Sequence, residues 1–594
     1  MRPACQHEVF FSRMNDKNYC VLHYPGEKKS LGDAGAFNSS LKKKLDAKDF
    51  HFEGVFFPKG STGFSGVEFS GEANFRGAIF SAEIDFSKAI FNAEADFSGA
   101  RFSAGTNFEE VRFNASAKFE GTSFDSWADF SQASFSWANF SQTSFREVAT
   151  FNKATFNGFT DFEKSGFSAW GNFAGSSFGD PSNFSRANFS GIADFDKASF
   201  SSTAIFDGAS FSAEAIFGSV KFSKSATFSS AKFGALADFC SAIFFSAEAI
   251  FGEASFNAEA RFWEASFSAL AYFHSAKFSA EASFSRASFT AKTTFSRASF
   301  NAEADFTEVS FDAEADFTGA NFNAEADFGH ASFDMEGLFN DATFKDFTYF
   351  AGLLSERTIG NNTRLDFQFA HFDKPDRVLF HTLDLRPHWF VNVDSRKFEF
   401  IDVKFNCKLK NEIESLRNAK VEAPYSLLER ACRQLADNAE ANHRYREASR
   451  LRYSSFDARR IEKFHGFVPW KLDWWYWLVS GYGESVSRAF LIFVTLIFLF
   501  TVGYKYSNFE PSSNPAISKT AKADESSSPI IPELGPRRLG WRESALYSFN
   551  VSILQKPEPK PKGLWSSALV TLETVLGPAQ AALLALAVRR RFLR

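Results

Sequence analysis

The chain has little of what an enzyme or a disulfide-rich secreted protein needs. Its 594 residues include ten scattered His and five Cys, and no nucleophile elbow, phosphate-binding glycine loop or His-Glu-His metal motif occurs. The Cys are odd in number and mostly isolated, which argues against a disulfide framework and for a reducing compartment. We therefore predict a protein without catalytic activity.

The first residues, MRPACQHEVFF, lack the apolar core of a signal peptide. We therefore expect the long N-terminal part to stay in the cytoplasm. The formal net charge of −5 is modest and does not by itself indicate a partner. Methionine is also scarce, with three residues against 81 Phe, and such a bias requires a search for an internal repeat.

Phenylalanine recurs in steps of six and five residues from about Phe64 to Phe350, as in FNAEADFSGARFSAGTNF from Phe91 to Phe108. A period of eleven also occurs in right-handed coiled coils. On a helix, however, consecutive Phe would point in different directions and leave no apolar seam. On a strand, residues two apart share a face, so the small residue two before each Phe points inward with it. The repeat therefore predicts short strands and turns.

These units resemble the pentapeptide-repeat family, whose repeats read small-x-apolar-x-x. Here Phe stands where Leu is common, and an extra residue such as Glu94 enters every second unit. The resemblance implies an all-β right-handed quadrilateral β-helix, a solenoid with the central apolar residue stacked inside. With four units per coil, the regular repeat from Phe64 to Phe350 would form about thirteen coils. The predicted solenoid extends over residues 64–405 and is preceded by a linker and N-terminal cap at 36–63.

The outer face of the predicted solenoid carries an acidic column with a 22-residue repeat. Its members are Glu259, Glu281, Glu303 and Glu325. Like charges on successive rungs are unfavourable unless they are solvated or matched by a basic partner. Two interpretations stay open, a recognition surface and a solvated face that keeps the solenoid soluble. Some pentapeptide-repeat proteins mimic duplex DNA. A weaker form of the recognition hypothesis is therefore that the acidic column mimics DNA and inhibits a nucleic-acid enzyme.

The first 35 residues contain four side chains of the types that zinc accepts. They are Cys5, His7, Cys20 and His23, in a Cys-x-His and a Cys-x-x-His pair. Four ligands would close the coordination sphere, so the zinc would be structural. The sequence leaves a zinc knuckle and an unstructured terminus equally open.

A helical hairpin is predicted at 411–462, because Leu and Ala recur at helical spacing with a break at Asp437-Asn438. It resembles the tetratricopeptide-type hairpin that follows pentapeptide repeats in some bacterial membrane proteins. Six arginines could face anionic lipid: Arg444, Arg446, Arg450, Arg452, Arg459 and Arg460. An aromatic helix at the membrane interface is predicted at 464–487.

Two membrane-spanning helices are predicted at 488–506 and 564–588, joined by an external loop at 507–540. A basic tail follows at 589–594. Basic residues on both outer flanks place the two termini in the cytoplasm by the positive-inside bias. We therefore expect a multi-pass protein of a bacterial inner (plasma) membrane.

The segment 541–554 is too short to span and resembles the re-entrant pore helix of two-transmembrane potassium channels, with an inner helix and a hinge at Gly577-Pro578. No selectivity filter follows it, so selective potassium conduction is not expected. Glu573 is an ionisable residue within the second span. Either it faces a partner helix or a water-filled path, or it is an interfacial residue that snorkels or pairs with Lys562 or Arg542.

Together these features predict an interaction scaffold, a solenoid tethered to the membrane and binding a cytoplasmic protein. The alternative is an oligomeric ion-channel-like protein gated by the solenoid. The expected partners are membrane lipid and an unknown cytoplasmic protein. A homo-oligomer is left open, and nucleic acid is not expected as a partner.

Overall fold

The computed structural model describes residues 10–14, 17–24, 31–246, 248–352, 364–418, 420–463, 471–510, 537–556 and 558–592. The chain divides into two compact units. Unit 1 comprises Met1–Leu385 and Lys397–Lys404, and unit 2 comprises Arg386–Arg396 and Phe405–Arg594.

Unit 1 is a β-solenoid in which short parallel strands stack on four sides, which confirms the predicted fold. Side 1 consists of Phe56–Phe57, Ile79–Phe80, Arg101–Phe102, Ser123–Phe124, Ser144–Phe145, Gly166–Phe167, Asn188–Phe189, Ser210–Phe211, Lys232–Phe233, Ser255–Phe256, Lys277–Phe278, Ser299–Phe300, Asn321–Phe322, Thr343–Phe344 and His371–Phe372. Side 2 consists of Ile84–Asp85, Thr106–Asn107, Ala128–Asp129, Ala149–Thr150, Gly171–Asn172, Ala193–Asp194, Ala215–Ile216, Ala237–Asp238, Ala260–Arg261, Ala282–Ser283, Ala304–Asp305, Ala326–Gly329, Thr348–Ala351, Val378–His381 and Glu399–Ile401.

Sides 3 and 4 form one sheet because the strands Arg112–Lys118 and Ser134–Asn139 run through both. Side 3 also contains Glu68–Phe69, Ile90–Phe91, Thr155–Phe156, Ser177–Phe178, Ser199–Phe200, Lys221–Phe222, Ile243–Phe244, Ser266–Phe267, Ser288–Phe289, Ser310–Phe311 and Ser332–Phe333. Side 4 also contains Ala73–Asn74, Ala95–Asp96, Thr160–Asp161, Ser182–Asn183, Ala204–Ile205, Ala226–Thr227, Ala249–Ile250, Ala271–Tyr272, Thr293–Thr294, Ala315–Asp316, Glu336–Leu338 and Arg364–Asp366.

The interior is a lattice of Phe rings. Phe217 stacks on Phe195 at 5.0 Å and on Phe239 at 4.7 Å, each with nearly parallel planes, and meets Phe206 and Phe228 edge to face. Stacking along the solenoid and edge-to-face contact across it are the two favoured geometries of aromatic pairs. Successive coils therefore support one another, as the repeat predicts.

Two irregularities of the repeat change the length of a coil. Between the stacked rings Phe130 and Phe151 the coil is one residue shorter than the usual 22. At the doublet Phe244-Phe245 the coil is one residue longer, since Phe267 lies 23 positions after Phe244, on which it stacks. Phe244 is buried, and the additional Phe245 is 65% exposed. The chain thus absorbs each change without breaking the interior stack.

The solenoid begins earlier than the Phe64 at which the sequence repeat becomes regular. Phe52 already stacks on Phe75 at 4.8 Å. The helix α1, Leu31–Asp46, contacts this end of the solenoid, because its buried Phe37 meets Phe57 edge to face at 5.5 Å. Two antiparallel strands, Phe10–Met14 and Lys17–Cys20, precede it. Two further short strands, Asp384–Leu385 and Lys404–Phe405, lie near the other end, together with a short 3₁₀ helix at Pro375–Arg377.

Unit 2 is helical. Its helices are α2 Leu409–Asn418, α3 Pro424–Ala441, α4 Tyr445–Lys463, α5 Leu472–Ser480, α6 Val486–Lys505, α7 Trp541–Ser552 and α8 Leu564–Phe592, with a 3₁₀ helix at Pro387–Phe390.

The predicted break of the hairpin at Asp437-Asn438 is wrong, because α3 runs through both residues. The side chain of Asn438 is buried, and its amide donates hydrogen bonds to the carbonyls of Ser395 and Arg396, both at 3.1 Å. It therefore anchors a neighbouring loop and does not compete with the helix backbone. The turn between α3 and α4 lies at residues 442–444 instead.

Among the described residues, α6 and α8 are long and apolar enough to cross a membrane. Only 17% of the most apolar window of each is buried in the protein. Large apolar side chains of α6, such as Phe490, Leu491 and Phe498, are more than half exposed. By length and composition, both helices are candidate membrane spans.

Candidate interaction surface and membrane-end cluster

One column of outward residues runs along side 2, three positions before each inward Phe of that side. We call it the side-2 column. Backbone hydrogen bonds between successive coils place its members one above another. In each bond the residue that follows one member donates its N–H to the carbonyl of the next member, for example Thr106, which follows Gly105, to Trp127, and Ala304, which follows Glu303, to Glu325. Between Glu83 at its start and Phe347 at its end the column contains, in order, Gly105, Trp127, Val148, Trp170, Ile192, Glu214, Leu236, Glu259, Glu281, Glu303 and Glu325.

The first part of this column is apolar and exposed. Trp127, Val148, Trp170 and Ile192 are 37 to 41% exposed and occupy four successive coils. The indole of Trp127 folds over Gly105, where a Cβ atom would lie 2.2 Å from the ring. Exposed apolar side chains on a monomer are usually scattered, so four in line mark a surface suited to contact with another molecule.

The last part of the column contains the four predicted glutamates, and the structure brings them together in register. Glu259 is neutralised by Arg261, whose guanidinium donates to both carboxylate oxygens at 2.5 and 3.0 Å. Among the described residues, no cation pairs with Glu281, Glu303 or Glu325. The surface thus changes along one line from apolar to negatively charged.

The stacked carboxylates repel one another. The pKa of Glu303 lies above its usual value because partial burial removes the carboxylate from water and because the charges of Glu325 and Glu281 lie beside it. The adjacent Asp305 and Asp327 instead hold turns, since each accepts a backbone N–H two residues further on. The glutamates therefore have no comparable role in holding the backbone.

The predicted zinc ligands are only partly described. Cys5 and His7 lie outside the described residues. Cys20 Sγ lies 3.1 Å from His23 Nδ1, and His23 Nε2 lies 2.8 Å from the carbonyl oxygen of Glu53. No group of three or more potential metal ligands occurs among the described residues. Structural zinc stays a prediction.

Glu573 of α8 lies at the centre of a cluster formed by α6, α7 and α8. Its buried carboxylate accepts hydrogen bonds from Tyr504 Oη of α6 at 2.5 Å, from Ser552 Oγ of α7 at 3.1 Å and from Ser548 Oγ of α7. These hydroxyls, and not Lys562 or Arg542, are the partners that the structure gives it. The carboxylate therefore fastens the three helices to one another.

Gly577 and Pro578 lie inside α8, which is continuous through both. Gly577 lies against α7, because a Cβ atom there would come within 2.7 Å of Ser552 Cα. The absence of a side chain at this position thus allows the two helices to approach closely. The sequence predicted a hinge at Gly577-Pro578 and did not predict this close packing of Gly577 against α7.

Two further polar residues hold unit 2 together and were not singled out from the sequence. Gln580 of α8 donates to the carbonyls of Val479 and Ala489 at 3.0 and 2.8 Å. Glu484 is 3% exposed and accepts from Arg590 Nη1 at 2.9 Å. Their partners are about 100 residues away in the chain, so no local signal in the sequence identifies them.

The apolar part of the side-2 column was also missed, although the signal for it was present. Its members differ in residue type, so they do not repeat as a motif, but all occupy the third position before an inward Phe. Following the glutamate column upstream from Glu259 in coil-length steps reaches them one after another.

Two family models describing pentapeptide repeats match the solenoid. One, a model of nine repeat copies, matches residues 59–101 and again 173–221, and the other, a model of eight copies, matches 106–146 and 126–159. No curated protein and no solved structure matches the chain. The resemblance of the C-terminal helices to a potassium-channel pore module is not confirmed and stays a prediction. The solenoid of this chain, with its stacked Phe interior and four-sided coil, thus contains pentapeptide repeats.

Proposed function

We propose that this protein is an interaction scaffold without catalytic activity, in which the solenoid binds a cytoplasmic protein through the side-2 column. The observation that carries the proposal is the alignment of four exposed apolar residues with three unpaired glutamates on one side of a regular solenoid. The column from Trp127 to Glu325 has nine coil steps, which correspond to about 43 Å at the usual strand spacing. That length suits a linear segment of a partner.

The chemistry of the column defines the partner. An amphipathic segment with apolar residues at one end and Lys or Arg at the other would cover Trp127 to Ile192 and neutralise Glu281, Glu303 and Glu325. Side 4 offers no such continuation. Its equivalent column contains, in order, Glu72, Glu94, Ser116, Trp137, Phe159, Pro181, Thr203, Ser225, Glu248, Leu270, Lys292, Glu314 and Glu336. It has no run of four exposed apolar residues and no run of four glutamates, and its Glu314 is paired with Lys292 at 2.8 Å.

The same proposal assigns α6 and α8 to a membrane tether. Their length, their apolar composition and their exposed apolar side chains support it. Basic residues flank the helix pair on its outer sides, which favours cytoplasmic termini in a multi-pass protein of the inner (plasma) membrane. The channel-like alternative has less support, because the carboxylate of Glu573 is occupied by hydroxyls of its own chain.

The proposal is tested by affinity capture with the detergent-solubilised full chain and a cytosolic extract. Wild type is compared with a Trp127→Ser, Trp170→Ser double variant and with a Glu281→Gln, Glu303→Gln, Glu325→Gln triple variant. Phe159→Ser is the control, since Phe159 is 37% exposed on side 4. We expect a captured protein that both side-2 variants lose and the control retains. Equal capture by every variant, or none by wild type, would contradict the proposal.

A further inference from the structure

The six arginines that the sequence assigns to anionic lipid fall into two classes in the structure. Arg444, Arg452 and Arg460 are occupied within unit 2. Their partners are Glu447 and Asn438 for Arg444, Glu440 and Glu484 for Arg452, and Asp457, Tyr482 and the ring of Trp477 for Arg460. No described residue pairs with the guanidinium of Arg446, Arg450 or Arg459.

Two of the unpaired arginines meet at a cleft. Arg446 and Arg450 lie one turn apart on α4, and two adjoining clefts of about 410 and 330 Å³ share Ser449, Arg450 and Glu484 in their linings. Clefts of this size accommodate small ligands. Arg459, on the same helix, lines neither of them.

The single carboxylate in the cleft does not cancel the two arginines. Glu484 is 3% exposed and is held by Arg590 Nη1 at 2.9 Å and by Arg452 Nη1 at 3.6 Å. Its charge is therefore compensated by arginines that do not belong to the pair. The charge of Arg450 also acts on Glu447, whose carboxylate accepts a hydrogen bond from Arg444. The guanidinium groups of Arg446 and Arg450 themselves have no ion-pair partner among the described residues, so both can bind a ligand.

Hydroxyl groups supply further donors in the same place. Ser449, Tyr453 and Ser485 line the larger cleft. Tyr453 Oη accepts a hydrogen bond from Trp477 Nε1 at 3.1 Å, so its own hydrogen is free to donate. Guanidinium and hydroxyl donors converging on one volume match the acceptor oxygens of a phosphate group.

We propose that this cleft binds a phosphate group, carried either by an anionic phospholipid headgroup or by free phosphate. Glu484 and Ser485 directly precede α6, which begins at Val486 and is a candidate membrane span. A cleft at that point would lie at the depth of the headgroups. Phosphate binding goes beyond the proposed scaffold function. The proposed membrane tether matters only for whether the phosphate belongs to a lipid headgroup or is free in solution.

The test measures binding to the full chain in neutral detergent by native mass spectrometry and titration. The probes are phosphatidylglycerol, phosphatidylcholine and inorganic phosphate. The variants are Arg446→Gln and Arg450→Gln, and Arg459→Gln is the matched control because it removes the same charge from the same helix. Thermal unfolding of each variant verifies that the fold is retained, as expected for arginines without a partner.

We expect phosphatidylglycerol to bind in preference to phosphatidylcholine, and about ten-fold or more weaker in Arg446→Gln and Arg450→Gln, because each substitution removes a charged hydrogen-bond donor. Arg459→Gln should bind as wild type does. If inorganic phosphate binds with the same dependence on the variants and phosphatidylglycerol has no advantage, the site holds free phosphate. Equal weakening by Arg459→Gln, or no binding of any phosphate probe, would overturn the proposal.

Discussion

Replacing Glu573 by Ala should destabilise the association of α6, α7 and α8. The buried carboxylate accepts three hydrogen bonds, one from Tyr504 of α6 and two from Ser548 and Ser552 of α7. Removing it leaves the hydroxyls of Tyr504 and Ser552 without their acceptor in the interior of the helix cluster, while Ser548 keeps only the carbonyl of Ile497 at 3.2 Å. Tyr504→Phe removes one donor and leaves the other two bonds in place.

The magnitude follows from the number of bonds. Hydrogen bonds between membrane helices contribute about 0.6 kcal/mol on average and at most about 1.7 kcal/mol. Glu573→Ala should therefore lower the free energy of unfolding by about 2 to 5 kcal/mol, against about 0.6 to 1.7 kcal/mol for Tyr504→Phe. The loss of unfolding free energy for Glu573→Gln should lie between these two values. Its amide keeps one acceptor oxygen and replaces the other by an NH₂ donor that faces hydroxyl donors.

The assay is unfolding of the full chain in detergent, followed by tryptophan fluorescence, since Trp541 and Trp565 lie on α7 and α8. Ion flux into liposomes is measured in parallel. If Glu573→Ala unfolds like wild type, the carboxylate does not fasten these helices. If the wild type conducts ions and Glu573→Ala abolishes the flux while retaining stability, the channel-like alternative is correct.

Three further predictions concern the solenoid and the helix packing. Partial burial and the neighbouring carboxylates raise the pKa of Glu303, so its charge destabilises the fold at neutral pH. Glu303→Gln should therefore raise the melting temperature at pH 7 and lose this advantage as the pH falls through the raised pKa. Glu259→Gln, which breaks the pair with Arg261, should not raise the melting temperature. Gly577→Ala should destabilise unit 2 by about 1 to 3 kcal/mol in the same fluorescence assay, because the new methyl group meets α7. Phe217→Ala should cost about 3 to 5 kcal/mol in chemical denaturation, because it leaves a cavity in the ring stack, whereas an exposed change such as Phe245→Ala should cost little.

The interior of the solenoid could be predicted from the sequence because its cause is local and repeated. A Phe at every fifth or sixth position, with a small residue two before it, leaves one arrangement in which all the rings are buried. A helix, α7 at Trp541–Ser552, lies within the segment 541–554, whose short length and resemblance to a pore helix predicted it. That this segment is re-entrant stays a prediction.

The candidate sites could be predicted only where their members repeat. The glutamate column has a fixed spacing and was found, whereas Trp127 and Ile192 in the same column share no residue type with it. The partners of Glu573 come from positions 21 to 69 residues away, and their distances depend on how three helices pack. Asn438 is typical of helix ends in general, and only the loop that it anchors explains its place inside α3.

The most direct test of the scaffold proposal is site-specific photocrosslinking in intact cells of the source organism. The photoreactive residue benzoylphenylalanine is placed at Ile192 in the side-2 column, and at Phe159 on side 4 as the control, since both positions are comparably exposed. The scaffold proposal predicts a crosslink to one cytoplasmic protein from position 192 and none to that protein from position 159. Identical products from both positions, or no product from position 192, would contradict it.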